Sequence, residues 1–69
     1  MAEVELMKNN LATARSELRL SLRELAKKSG VSWGHLSKIE SGERTPTVPA
    51  AYAICKAVGK TIYEVFPDS

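Results

Sequence analysis

The apolar positions of this chain fall in short runs at helical spacing, and residues that start or stop helices bracket each run. The pattern is clearest in the middle. Leu25 and Ala26 mark the buried face of one short helix, and Leu36 and Ile39 that of the next. Gly30 stands between them, where a sharp turn needs a positive φ that is cheapest without a Cβ. Ser32 is placed to cap the second helix by accepting a hydrogen bond from a free backbone N–H. The spacing predicts helices over 22–28 and 33–40, with Ser41 and Gly42 ending the second.

The flanks follow the same logic. Leu11, Ala14 and Leu18 share one face of a first helix over 8–18, with Asn9 or Asn10 able to cap its start. Arg19 occupies the place where a glycine would end that helix most comfortably. A left-handed Arg19 costs on the order of 1 kcal/mol, and Leu20 anchors the turn. Ser21 with Glu24 three residues on forms a capping box for the second helix. Thr47 caps a fourth helix that tolerates Pro49 in its first turn. That helix packs through Ala50, Ala51, Ile54, Cys55 and Val58, and Gly59 ends it. Thr61 caps a last short helix over 62–66, closed by Pro67. No strand alternation, repeat or linker interrupts the series, so the fold class is all-α, a compact five-helix bundle. The expected layout is an arm or frayed helix start over 1–8, one domain over 9–66 and a tail over 67–69.

With 69 residues, the core is modest. Neither a disulfide nor a metal is expected to reinforce it: Cys55 is the single cysteine, and His35 has no partner at metal-ligand spacing. Helix packing or dimerisation must supply stability. An unpaired cysteine suits a reducing cytoplasm, and no apolar run is long enough for a signal peptide or a membrane span. The net charge of +2 changes little by itself. Its distribution matters more, because seven basic and four acidic residues lie between Arg15 and Arg44, whereas the first ten residues carry Glu3 and Glu5 against Lys8. A basic middle fits a local phosphate-binding face. No catalytic constellation stands out: there is one His, one distant Cys and no Gly-rich phosphate loop. No cofactor is implied, and no small-molecule ligand is evident.

A helix, a glycine turn and a capped helix make a helix-turn-helix, the arrangement that puts its second helix into the DNA major groove. The features also stand in the order found in the Cro/cI-type helix-turn-helix family, also called the xenobiotic-response-element type. The matching residues are Leu20-Ser21, Leu25-Ala26, Gly30-Val31-Ser32, Leu36-Ser37-Lys38-Ile39-Glu40, Gly42, Arg44, Pro46-Thr47-Val48, Ile54-Cys55-Lys56-Ala57-Val58 and Ile62-Tyr63-Glu64-Val65-Phe66. They run in register over roughly 9–66, and the chain resembles that family over nearly its whole length. The resemblance implies a lambda-repressor-like bundle of five helices, usually dimeric, that binds double-stranded operator DNA and regulates transcription.

It also implies roles for particular residues. Arg15 and Glu40 match a family ion pair that ties the first helix to the end of the third. Ser32, Trp33, Gly34, His35 and Lys38 match the positions that face base edges. Lys38 can donate to guanine O6 and N7, and Trp33 can cover a thymine methyl or lie on sugar and phosphate. Gly34 lets the helix sit close. Ser21, Arg23, Ser41, Arg44 and Thr45 flank that surface as candidates for the DNA backbone. Ile62, Tyr63, Val65 and Phe66 offer apolar surface for a homodimer, although some of them must fill the monomer core. One residue departs from the family pattern. Where the family commonly has Gln after the Ser opening the second helix, this chain has Leu22. An apolar Leu22–Trp33 pair then replaces a polar one, and the usual phosphate contact at that site is put in doubt.

Two function classes are open on these grounds. One is a sequence-specific DNA-binding regulator, acting as repressor or autoregulator in a phage, restriction-modification, toxin–antitoxin or chromosomal setting. The other is a protein-binding module that keeps the same fold, since function lives in sites rather than folds. The low net charge, the Glu43 beside Arg44 and the apolar Leu22–Trp33 pair suit the second.

Overall fold

The computed structural model describes residues 9–67, so the expected arm over 1–8 and residues 68–69 of the tail lie outside the described part. Five helices follow one another: α1 (Leu11–Glu17), α2 (Leu22–Ser29), α3 (Trp33–Ser41), α4 (Val48–Val58) and α5 (Ile62–Val65). No strand occurs among the described residues.

Local chemistry explains most of the boundaries. At α2 both halves of the capping box are made: the Glu24 N–H donates to Ser21 Oγ at 3.0 Å, and the Ser21 N–H donates to Glu24 Oε1 at 2.7 Å. Thr61 and Glu64 repeat the device at α5. Ser32 and Thr47 cap α3 and α4 with their hydroxyl oxygens alone. Gly30, Gly42 and Gly59 end α2, α3 and α4 in the left-handed conformation.

The start of α1 differs from the expectation in having long-range ties. The helix begins at Leu11, and Asn10 makes no side-chain cap. Asn9 does the local work, its Oδ1 accepting from the Leu11 N–H at 3.0 Å. Its Nδ2 meanwhile donates 2.8 Å to the carbonyl of Ile39, far along the chain. Asn10 turns the other way, its N–H donating to Val65 at 2.8 Å and its Nδ2 to the Glu64 carbonyl at 3.0 Å. The expected apolar face of α1 is also shorter. Leu18 is the residue that ends the helix and is half exposed, so Leu11 and Ala14 alone enter the core from α1.

The core gathers Leu11, Ala14, Leu25, Leu36, Ile39, Ala51, Ile54, Cys55, Val58, Val65 and Phe66. α2 lies against both α3 and α4, and α5 packs on α4. Burial pushes the Cys55 thiol above its ordinary pKa, as expected of a small side chain used for packing. Two of the four residues expected at a dimer face belong to this core. Val65 is fully buried and Phe66 nearly so, because the single turn of α5 must close the bundle with its inner side. Ile62 is half-buried against the same cluster, which leaves Tyr63 fully on the surface.

Candidate nucleic-acid interface

α3 is held at both ends and open along one side. Leu36 and Ile39 seat it in the core. At its start the His35 N–H donates to Ser32 Oγ at 3.3 Å. Its end is tied to α1 by a two-pronged ion pair: Arg15 Nε lies 2.6 Å from Glu40 Oε2 and Nη2 lies 3.2 Å from Oε1. This forked geometry is the strong form of the carboxylate–guanidinium pair, and the bond to Glu40 holds Arg15 still more firmly protonated than usual. The third guanidinium nitrogen, Nη1, donates 2.8 Å to the carbonyl of Leu20. One side chain therefore fixes the end of α3, the body of α1 and the turn that leads into α2. The ion pair was an expectation of the family resemblance. The Leu20 bond was not, since no pattern marks which carbonyl a guanidinium will reach.

The side chains on the open side are those expected at base edges. Ser32, Trp33 and Lys38 are exposed, and Gly34 and His35 are partly so. Gly34 and Lys38 are four residues apart and share a face of the helix. A Cβ built on Gly34 meets nothing within 4 Å, so the protein itself does not demand a glycine there.

The flanking residues come to the same region in different states. Arg23 is exposed, and its guanidinium carbon lies 6.0 Å from the centroid of the Trp33 ring. Leu22, expected against that indole, packs on the core cluster; the group over the ring is Arg23, next to it in sequence. Ser21 accepts the capping bond with a lone pair, which does not use its hydroxyl hydrogen. Ser41 has its one hydroxyl hydrogen between two internal acceptors, the Lys38 carbonyl at 3.0 Å and Glu43 Oε2 at 3.1 Å. Its donor is thus engaged within the protein. Arg44 and Thr45 are exposed. The backbone leading to Arg44 is folded back onto Lys38, whose carbonyl accepts from the Glu43 N–H at 2.9 Å and the Arg44 N–H at 3.2 Å. A single carbonyl thus sets the position of Arg44 relative to Lys38, a link the sequence did not signal.

Two helices joined by a tight left-handed glycine turn, the second capped, anchored at its end and open along one polar and aromatic face, constitute a helix-turn-helix. Residues 11–65 match the model of the helix-turn-helix family, and the chain belongs to that family in its Cro/cI form. It is similar to an uncharacterised HTH-type transcriptional regulator of Sinorhizobium fredii, with 36% identity over 61 residues, covering 88% of this chain and 79% of the relative. It is also similar to an uncharacterised HTH-type transcriptional regulator of Methanocaldococcus jannaschii, with 38% identity over 60 residues, covering 87% of this chain and 91% of the relative. No solved structure gives a significant match to the chain.

Among the described residues no group of His, Cys, Asp and Glu could hold a metal ion. No helix among them is long and apolar enough to cross a membrane. A shallow groove lined by Asn10, Thr13, Ala14, Glu17, Lys60 and Glu64 contains none of the candidate interface residues.

Proposed function

We propose that this protein is a sequence-specific regulator of transcription that binds double-stranded DNA through α3 in the major groove, with residues 9–66 as the DNA-binding unit. The observation that carries the reading is the open face of α3, with Trp33 and Lys38 exposed on a helix whose end is fixed by the Arg15–Glu40 pair. Base edges are read by Ser32, Trp33, Gly34, His35 and Lys38. Arg23, Arg44, Thr45 and Ser21 take the phosphates, and Ser41 contributes once its hydroxyl leaves Glu43. The two relatives named as transcriptional regulators support the same role. The regulation proposed is repression or autoregulation. The working form is a homodimer that reads half-sites about one DNA turn, roughly 34 Å, apart. Its contact surface includes Tyr63, which is 80% exposed.

The test is selection from random duplexes, followed by gel shift and Trp33 fluorescence at two salt concentrations. Affinity is expected to fall steeply with salt. Lys38→Ala should weaken the selected duplex by about 1–3 kcal/mol and relax one position, whereas Arg44→Ala should weaken all duplexes alike and lower the salt slope by about 1. A blank selection would reject DNA binding and favour the protein-binding module.

A further inference from the structure

The Arg23–Trp33 cation–π contact has no evident role in the fold. Trp33 opens α3 yet is 52% exposed, and the residues by which α3 enters the core are Leu36 and Ile39. Its ring is flanked in sequence by two of the smallest side chains, Ser32 and Gly34, and the space beside Gly34 is open to 4 Å. A large, flat apolar surface therefore stands clear at the reading end of the helix. The guanidinium of Arg23, 6.0 Å from the ring centroid, is attracted to the negative face of the indole and limits how the ring can turn.

The chemistry of each group selects its target. An indole face offers nothing to an anion, whereas the apolar feature of the major groove is the 5-methyl group of a pyrimidine. A guanidinium held against a ring still directs its N–H groups outward in its own plane, where a phosphate can take two of them. We infer that Trp33, steadied by Arg23, reads the 5-methyl group of a pyrimidine, and that Arg23 binds the phosphate beside it. This rests on the DNA-binding reading above and deepens it. It gives the domain a preference set by one methyl group, separate from the hydrogen bonds of Lys38. Thymine and 5-methylcytosine share that group.

The experiment starts from a duplex enriched from random sequence. Each thymine is replaced in turn by deoxyuridine, which removes the methyl and nothing else. At one thymine the affinity should fall about fourfold, the worth of one buried methyl group. The loss should vanish in both Trp33→Ala and Trp33→Gln, with thermal melts confirming that each variant is folded. In Arg23→Lys the charge stays and the planar guanidinium goes, so the salt dependence should hold while the methyl preference drops below twofold. Cytosine and 5-methylcytosine placed at the same position distinguish the two natural sources of the group, and the methylated base should bind more tightly of that pair. If uracil equals thymine everywhere in an enriched duplex, or the penalty survives in both Trp33 variants, the inference is overturned and DNA binding stands. If no duplex is enriched, the functional reading itself fails and the inference goes with it.

Discussion

Two tight turns flank α2, and they solve one geometric problem in opposite ways. The turn into α3 places φ at 78° on Gly30, where no Cβ resists it. The turn out of α1 places φ at 56° on Arg19, a residue with a side chain to accommodate. The glycine turn is stable on local grounds. The arginine turn has the local backbone bonds of a helix end, from Arg19 to Ser16 at 2.9 Å and from Leu20 to Arg15 at 3.2 Å, and is held in addition by the Arg15 guanidinium on the Leu20 carbonyl. Because that guanidinium also grips Glu40, the strained turn is coupled to the end of α3. A turn that needs outside support becomes a place where one helix senses another, which a glycine turn does not provide.

The strongest test of this contrast removes the support. Arg15→Ala strips Glu40 of its partner and Leu20 of its donor, and should cost roughly 2–4 kcal/mol of unfolding free energy, since a partly buried charge is left alone. Denaturant melts would measure it, and a cost no larger than that of the glycine variant would break the comparison. Gly30→Ala comes next. An added Cβ meets nothing within 4 Å, so the penalty is the backbone conformation alone, about 1–2 kcal/mol by the same melts. Arg19→Gly should move the other way and gain up to about 1 kcal/mol, because the strain goes while the outside bonds remain. A loss of stability there would mean that Arg19 is held for its side chain.

The smallest effect distinguishes the two turns by pH. The first turn leads into the Ser21–Glu24 capping box, whereas the second leads into a helix capped by Ser32 alone. The Ser21 backbone N–H, and then its hydroxyl, hold the Glu24 carboxyl below the usual carboxylate range, and Thr61 does the same for Glu64. A folded-state pKa below the unfolded one means the unfolded chain binds more protons, so this contribution rises with pH. It is complete above the unfolded value of about 4.3 and is lost as pH falls through the lower folded value. Hydrogen exchange should show the first turns of α2 and α5 loosening in that acid window in advance of α3. Glu24→Gln should abolish the effect at α2 while keeping the capping geometry.

What the sequence revealed was what is settled within a few residues. Ser21, Ser32, Thr47 and Thr61 were recognisable as caps because each partner lies three positions on. The turn at Arg19 was recognisable because a glycine was missing where one belongs. The Arg15–Glu40 pair became legible through the family resemblance. Contacts between groups far apart in the chain, or among several available acceptors, were hidden. Asn9 and Asn10 looked like caps, and only packing decides that their amides reach Ile39 and Glu64. The spacing of Ile62, Val65 and Phe66 could not apportion core from surface, because a one-turn helix has too few residues to define a face. Around the open α3 face, the engagement of Ser41 with Glu43 and the Arg23–Trp33 contact had no signal in the sequence.

The bonds from Asn10 to Glu64 and Val65 have a topological consequence. They bring the two ends of the domain side by side, so the path of the chain is nearly a closed ring. A few added residues could join those ends and let the ring be opened elsewhere. The whole unit could also be spliced into a surface loop of a host protein without forcing the insertion points apart. The junction lies beside the C-terminal part of α3, where Asn9 holds Ile39, while Trp33 sits about 9 Å back along the helix axis. The domain is thus a module with a single point of attachment, set at the opposite end of α3 from Trp33.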